Sequence, residues 1–166
     1  MGDALHAHPA RLDRYAGVQP SALIQSCRGM IQAALEEDVH ARDLLTDTAT
    51  ATRYLRGMLA NQPNEVTLGL FLDAHNFLIR GLILSEGSVD HAPLYFREVA
   101  HRALELGATG MILAHNHPSG SLVPSAADIR ITHELTSALQ PLGVRLHDHI
   151  VVSRTGELSL RAAGLL

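Results

Sequence analysis

The chain of 166 residues has no lysine, no tryptophan and a single cysteine. All 13 basic residues are arginine, which excludes a catalytic lysine, a phosphate-binding loop lysine and an isopeptide bond formed on a lysine of this chain. Cys27 by itself can form no internal disulfide and supplies no cysteine cluster for a metal. This cysteine usage is typical of proteins from a reducing compartment.

Excess positive charge and long apolar runs are also missing. The formal net charge is −4, whereas a nucleic-acid-binding domain usually carries a basic excess or a basic stripe. We therefore expect no direct contact with nucleic acid. No apolar run is long enough to span a membrane, and the first residues, which include Asp3 and Pro9, do not resemble a signal peptide. The expected location is the cytoplasm, without membrane association.

The composition that remains is that of a folded domain. Hydrophobic residues make up 46% and charged residues 18% of the chain, which is enough apolar material for one core of ordinary size. A helix is predicted from Pro20 to about Glu37. A charged linker at 36–43 and a second helix, capped by Thr46 or Asp47, are predicted to follow.

Strand and helix spacings alternate along the rest of the chain. Residues 66–72 form an apolar run suited to a buried strand, and residues 77–84 return as its antiparallel partner before a loop that begins at Ser85. A helix is predicted next, with Tyr95, Val99, Ala103 and Leu106 at helical spacing, and then a strand ending at His115. The following helix begins at Ser125 and has Ala127, Ile131, Leu135 and Leu139 on its core face. Strands are predicted over 144–152 and 157–160. The fold class is therefore α/β, with helices packed on a mostly antiparallel central sheet.

The most informative stretch begins at Met111. An apolar run leads directly into His115 and His117, whose i, i+2 spacing puts both imidazoles on the same side of an extended chain. After a short loop, Ser125 and Asp128 have the Ser-x-x-Asp spacing of a helix start, which places the carboxylate in the first turn, facing the strand end. Two imidazoles and one carboxylate form a three-ligand set for zinc that leaves a fourth position for water. That is the composition of a catalytic zinc site.

Histidine pairs at this spacing also arise by chance, because the chain contains 11 histidines. Two other His-x-His pairs lie at residues 6–8 and 147–149. Neither pair is followed by a serine and an aspartate at the offsets found after His117. The complete His-x-His-x7-Ser-x2-Asp pattern occurs once in the chain, so we predict the metal site at His115 and not at the other pairs.

This pattern resembles the JAMM motif of the JAB/MPN-type zinc metalloproteases, and the run His115–Gly120 resembles the bacterial RadC branch of that family. Further landmarks of the family stand in the expected order at residues 70–73, 97–99 and 148–151. The resemblance covers residues 45–166, so we expect a RadC-like JAB/MPN domain there and an N-terminal lead-in with a helical extension at residues 1–44. It implies a cytidine-deaminase-like sandwich, in which a mostly antiparallel mixed sheet is flanked by helices.

The resemblance also implies an activity and assigns residues to it. A zinc-dependent hydrolase of peptide or isopeptide bonds would hold one Zn²⁺ per chain on His115, His117 and Asp128. By the same resemblance, Glu65 at the start of the first sheet strand is the general base, and the Ser125 hydroxyl supports the oxyanion of the tetrahedral intermediate. The implied partner is a peptide or protein substrate.

Two assignments stay open at this point. Glu98 and Glu86 are rivals of Glu65 as the general base, although Glu98 opens a helix, where an acidic side chain suits the helix dipole. His149 follows Asp148 at the start of a late strand. Either a contact with a zinc-bound histidine or a position in the core would explain His149.

The principal alternative function is a non-catalytic adaptor associated with DNA repair or recombination, which the family name suggests. The acidic charge balance argues against direct DNA contact by such an adaptor. We also expect the helix-hairpin-helix domain that many RadC-like proteins carry before this region to be absent, because residues 1–44 leave no room for it. A zinc deaminase is excluded because its Pro-Cys-x-x-Cys signature is missing. The sequence specifies neither which peptide is cleaved nor the oligomeric state.

Overall fold

The computed structural model describes residues 18–40, 47–87 and 94–166. The helices in these ranges are α1 (Val18–His40), α2 (Thr48–Leu59), α3 (Phe96–Glu105) and α4 (Ala126–Leu139), and a short 3-10 helix (Gln140–Leu142) follows α4. The strands are β1 (Glu65–Leu72), β2 (Leu78–Gly87), β3 (Gly110–Asn116), β4 (Arg145–Val152) and β5 (Glu157–Ser159). Among the helices of these ranges, none has the length and apolar character needed to cross a membrane.

The five strands form one sheet in the order β2-β1-β3-β4-β5. Strand β1 is antiparallel to both β2 and β3, strand β3 is parallel to β4, and β4 is antiparallel to β5. The parallel pair is joined through α4, because two parallel strands need a crossover connection. The predicted fold class, α/β with a mostly antiparallel mixed sheet and flanking helices, is confirmed.

Helices cover both faces of this sheet and divide the core in two. On one side, called the α2 face, Leu55 and Leu59 of α2 are buried against even-numbered residues of β1 and β3. On the other side, called the α4 face, Val99 of α3 and Leu135 of α4 are buried against odd-numbered residues of the same strands. Because successive side chains of a strand point to opposite faces, His115 continues the odd-numbered row of β3 on the α4 face.

Side-chain caps begin the two helices that flank the centre of the sheet. Asp47 caps α2 by accepting a hydrogen bond of 3.0 Å from the backbone N–H of Thr50. Ser125 caps α4 in a complete capping box, in which its Oγ accepts from the N–H of Asp128 at 3.1 Å and the Asp128 carboxylate accepts from the N–H of Ser125 at 2.7 Å. The predicted helix starts at these two residues are confirmed.

Two predicted element limits are wrong. Helix α1 continues to His40, so the charged residues at 36–40 belong to that helix and not to a linker. Strand β2 runs on to Gly87 instead of giving way to a loop at Ser85, because residues 85–87 pair with residues 65–67 of β1. These polar residues are tolerated in a strand because β2 lies at the edge of the sheet.

Two residues depart from the predicted helices, Tyr95 from the predicted helical spacing and Ala127 from the predicted core face. Tyr95 stands at the N-cap of α3 and is 69% exposed, because a residue outside the helix does not follow the helical repeat. Ala127 lies in the first turn of α4 and is exposed, whereas Leu135 and Leu139 further along that helix are buried. The predicted lead-in over residues 1–17 and the rest of the predicted linker lie outside the described residues.

Candidate metal centre

The two histidines of the motif lie at the carboxyl end of β3, the central strand of the sheet. His115 is the last odd-numbered residue of the strand and is 6% exposed. His117 follows the strand, but its backbone N–H still donates to the carbonyl of Val152 on β4 at 2.9 Å. The chain therefore stays extended for one more residue, and both imidazoles point to the α4 face, as the i, i+2 spacing predicts.

The carboxylate of Asp128 reaches these imidazoles from the first turn of α4. Its Oδ1 lies 3.3 Å from Nε2 of His115, and its Oδ2 lies 3.6 Å from Nε2 of His117. The capping box with Ser125 fixes this orientation, because Oδ2 also accepts the backbone N–H of the serine at 2.7 Å. An ordinary helix cap thus directs the Asp128 carboxylate towards the end of β3.

The three side chains fit a single metal ion. The two Nε2 atoms of His115 and His117 are 2.9 Å apart, and the potential ligand atoms of the two histidines and Asp128 all lie within 4.8 Å of one another. Zinc binds nitrogen and oxygen at roughly 2.0–2.2 Å in a tetrahedron, which separates neighbouring ligand atoms by about 3.3–3.5 Å. The observed distances of 2.9, 3.3 and 3.6 Å bracket that separation. The three side chains could therefore hold a metal ion of this size.

Burial and neighbouring charges set the protonation states of the cluster. Burial lowers the pKa of His115 to about 4 and that of His149 to about 3, so both rings are neutral at pH 7. The Asp128 carboxylate, whose Oδ2 lies 3.6 Å from Nε2 of His117, raises the pKa of that ring and favours its protonated form. Burial alone would raise the pKa of Asp128, but the neighbouring His117 and His115 outweigh burial and hold that pKa below its ordinary range. The carboxylate is therefore ionised.

The outer nitrogen of each motif histidine has a partner of its own. Nδ1 of His117 lies 3.0 Å from the backbone carbonyl of Ser121 and donates to it, because a carbonyl can only accept. In the neutral ring, that bond leaves Nε2 of His117 with its lone pair directed at the centre. Nδ1 of His115 lies 2.8 Å from Nε2 of His149, whose own Nδ1 lies 2.6 Å from Oγ1 of Thr132. His149 is both buried and in contact with a motif histidine, so the two possibilities left open by the sequence occur together.

A β-bulge brings His149 to this position. Met111 and Ile112 are consecutive on β3, but they pair with Leu146 and Asp148 on β4, so His147 is the extra residue of the bulge. Before the bulge Leu146 packs on the α4 face, whereas after it Ile150 packs on the α2 face. The extra residue thus reverses the alternation and turns His149 towards the α4 face and the candidate centre.

The C-terminal turn holds the bulged strand in place. The Asp148 carboxylate accepts hydrogen bonds from Oγ of Ser159 at 2.5 Å and from the backbone N–H of Arg161 at 3.1 Å. Nε of Arg161 donates to the carbonyl of the bulge residue His147, and the N–H of Leu160 donates to the carbonyl of His149 at 2.9 Å. The family landmark at Asp148 therefore supports the strand and does not reach the metal ligands itself.

Glu65, the predicted general base, lies beside the histidines at the start of β1. Thr67 is opposite His115 in the antiparallel register. Glu65 precedes Thr67 by two residues and His117 follows His115 by two, so extending the register places Glu65 beside His117. Opposed residues of an antiparallel pair share a face, so Glu65 projects from the α4 face. After the larger effect of Asp128, the negative charge of Glu65 also contributes to the raised pKa of His117.

Asn116 is a residue whose role the sequence analysis missed. It lies between the two motif histidines but points to the α2 face, where it is 1% exposed. Its Oδ1 accepts from the backbone N–H of Val66 at 2.7 Å, and its Nδ2 donates to the carbonyl of Asn64 at 3.0 Å. Both chain neighbours of Glu65 are thereby tied to the end of β3. The available signal was an amide in a buried run, since such a group must find hydrogen-bond partners.

The rival glutamates occupy other surroundings. Glu86 is opposite Val66 on β2, so it projects from the α2 face, away from the histidines. Glu98 lies in the first turn of α3, where its carboxylate is 3.1 Å from Nε of Arg102 and its side chain is 59% exposed. Among these three glutamates, Glu65 is the one that the register places beside the cluster.

Comparison with known proteins gives the family. A profile of the RadC-like JAB domain matches residues 45–165. A UPF0758 protein of Rhodobacter capsulatus is 43% identical over 170 aligned positions, which cover 100% of this chain and 78% of that protein. A UPF0758 protein of Ruegeria pomeroyi is 42% identical over 128 positions, which cover 77% of this chain and 57% of that protein.

The region matched by the family profile extends well over half of the chain and contains every residue of the candidate centre. The described fold, with its five-stranded mixed sheet and flanking helices, agrees with that match. The chain belongs to the RadC-like JAB domain family.

Proposed function

We propose that the protein is a zinc-dependent hydrolase of peptide or isopeptide bonds that binds one Zn²⁺ per chain. The observation that carries this proposal is the convergence of Nε2 of His115, Nε2 of His117 and the Asp128 carboxylate on one point. The three protein ligands leave a coordination position for water or substrate, which is typical of catalytic zinc sites and not of structural ones.

Zinc bound at this point would supply Lewis acidity, which polarises a carbonyl oxygen and lowers the pKa of water towards neutrality. The Glu65 carboxylate accepts a proton from the attacking water and returns it to the leaving amine. The position of Glu65 alongside His117 supports this role. Asn116 keeps the start of β1 against the end of β3, so the distance between the base and the metal ligands is fixed.

Ser125 has two compatible roles in this mechanism. Its Oγ accepts the N–H of Asp128 in the capping box. A hydroxyl can donate while it accepts, so the capping bond leaves the proton of Ser125 for a second partner. We assign that proton to the oxyanion of the tetrahedral intermediate, which develops its charge beside the metal ligands. The substrate proposed is a peptide or protein, since the net charge of −4 does not favour a nucleic acid.

The test compares Glu65→Gln with Glu86→Gln, which changes the same group on the neighbouring strand but on the opposite face. We expect both variants to retain the zinc content of the wild type. Hydrolysis by the zinc-loaded protein, measured on mixed peptide and isopeptide libraries by mass spectrometry, should fall about 10²- to 10⁴-fold in Glu65→Gln alone.

Two results would contradict this proposal. Full activity in Glu65→Gln would remove Glu65 from the mechanism. A zinc-loaded wild type that cleaves no member of either library would reject the hydrolase and favour the alternative, a non-catalytic adaptor associated with DNA repair or recombination.

A further inference from the structure

We propose that His149 and Thr132 are positioning residues for the metal centre. Together they form a directional hydrogen-bond chain that holds His115 in the tautomer with its proton on Nδ1. This tautomer keeps the lone pair of Nε2 free for the metal. The inference rests on the proposed zinc site, but its central claim concerns the protein without metal.

The direction of the chain follows from its last member. Oγ1 of Thr132 lies 2.6 Å from the backbone carbonyl of Asp128 and 2.6 Å from Nδ1 of His149. A carbonyl oxygen cannot donate, so the single hydroxyl proton of Thr132 is given to Asp128. The hydroxyl oxygen must then accept, and the proton between Thr132 and His149 belongs to Nδ1 of the histidine.

The same reasoning continues to the metal ligand. A neutral imidazole with its proton on Nδ1 has only a lone pair on Nε2, so Nε2 of His149 is an acceptor. It lies 2.8 Å from Nδ1 of His115, which must therefore carry the proton of that bond. His115 is left with a lone pair on Nε2, the atom that lies 3.3 Å from Oδ1 of Asp128. The tautomer required for metal binding is thus set three groups away, at a backbone carbonyl.

Burial makes this constraint effective. His115 is 6% exposed, His149 is 2% exposed and Thr132 is fully buried. Water therefore cannot easily replace one of the partners. A reversed tautomer of His149 would leave two donors facing each other at His115 and two acceptors facing each other at Thr132. By contrast, the outer nitrogen of His117 is held by one carbonyl in the loop at Ser121, without intermediate groups.

The chain also connects two metal ligands through the fold. Thr132 follows Asp128 by one turn of α4, so the helix that provides the carboxylate ligand also carries the terminal hydroxyl. His149 lies between this hydroxyl and the imidazole ligand on β3. The hydrogen bonds thereby fix the spacing between α4 and β3 before any metal is present, which reduces the reorganisation needed for binding.

The first test reads the tautomers directly in ¹⁵N-labelled protein freed of metal by a chelator. Long-range ¹H–¹⁵N correlation spectra distinguish a ring protonated on Nδ1 from one protonated on Nε2, and the signals of His115 and His149 are assigned by their loss in single variants. We expect both rings to carry the proton on Nδ1, although Nε2 is the commoner site in free neutral histidine. A proton on Nε2 of His115 would overturn the inference.

The second test measures zinc affinity by competition with a chelating dye in three threonine variants. Thr132→Val keeps the shape of the side chain but removes the hydroxyl, and we expect zinc to bind about 10- to 100-fold more weakly. Thr132→Ser restores the hydroxyl and should restore most of the affinity. Thr136→Val is the matched control, because Thr136 makes the same kind of bond to the carbonyl of Thr132 one turn later. Its affinity should equal that of the wild type.

The outcomes separate this inference from the proposed function. Equal zinc affinity in Thr132→Val and Thr136→Val, or no change in the tautomer signals of Thr132→Val, would overturn the positioning role while the zinc site stands. A wild type that binds no zinc would overturn the proposed function, and the tautomers of the metal-free protein would still decide the hydrogen-bond chain. The wild-type spectrum needs no variant, so poor folding of Thr132→Val does not prevent a decision.

Discussion

Two His-x-His pairs lie on neighbouring parallel strands, His115–His117 at the end of β3 and His147–His149 within β4. In the first pair both rings point to the α4 face and meet Asp128. In the second pair only the later ring reaches that face, where it bonds to a ring of the first pair. His147 lies instead among residues of the α2 face, such as Ala51. The same His-x-His pattern therefore gives the two pairs different positions in the fold.

The difference between the pairs comes from the register of β4 on β3. Uninterrupted alternation would direct both members of the second pair to one face, as it does in the first. The extra residue at His147 breaks that alternation, so His147 and His149 separate. A His-x-His pattern therefore places both histidines on one face only where the strand has no bulge. Whether a bulge forms depends on the pairing with the neighbouring strand.

The largest expected effect distinguishes the pairs by metal content. Zinc per chain, measured by inductively coupled plasma mass spectrometry on protein purified without added metal, should be one equivalent in the wild type. It should be lost in His117→Ala, because two of three ligands cannot retain the ion. His147→Ala should keep the full equivalent. Loss of zinc in both variants, or in neither, would show that the two pairs do not differ in this way.

A smaller effect is expected in the pH dependence of folding without metal. The buried His115 and His149 have pKa values of about 4 and 3 when folded, against 6.5 as their ordinary value. Between pH 6.5 and pH 4 the unfolded chain therefore binds more protons than the folded one, and the free energy of unfolding falls as the pH falls. The expected slope is about 1.4 kcal/mol per pH unit for each histidine.

Removing one of these buried histidines should flatten that slope. In His149→Gln, urea unfolding in excess chelator should lose roughly half of the dependence between pH 6.5 and pH 4. The raised pKa of His117 acts above this window, and the lowered pKa of Asp128 acts below it, so neither obscures the comparison. An unchanged slope in His149→Gln would mean that this ring is not held neutral by burial.

The smallest expected effect concerns the packing of the bulge itself. A Cβ added to Gly110 would lie 2.5 Å from Nε2 and 2.7 Å from Cδ2 of His147. Gly110→Ala should therefore displace that ring and lower the free energy of unfolding by about 1–3 kcal/mol in urea. The double variant with His147→Ala removes the clash and should recover most of the loss. Failure of the double variant to recover stability would place the strain elsewhere.

Gly29→Ala provides the control for the loss of a glycine. A Cβ on Gly29 of α1 meets no described heavy atom within 4 Å. In a helix, alanine is favoured over glycine by up to about 1 kcal/mol, so this variant should be as stable as the wild type or slightly more stable.

The sequence predicted the helices and strands well where the pattern of an element depends only on its own residues. The apolar run before His115, the helix start at Ser125 and the antiparallel partner of β1 are all confirmed. The predictions failed at positions that depend on neighbours. Ser85 belongs to a strand because β1 lies beside it, and Tyr95 is exposed because the helix begins one residue later. The local sequence pattern specifies neither the neighbouring strand of Ser85 nor the first residue of the helix after Tyr95.

The candidate centre divides in the same way between sequence and tertiary structure. The sequence by itself determined the convergence of His115, His117 and Asp128, because strand alternation and the capping box are local and fix where these side chains point. Only the tertiary structure decided the roles of Asn116 and His149. The amide finds its partners on β1, and the ring is turned by a bulge that exists only in the pairing of β4 with β3. Contacts between strands distant in the sequence depend on register, and register is set by the whole sheet.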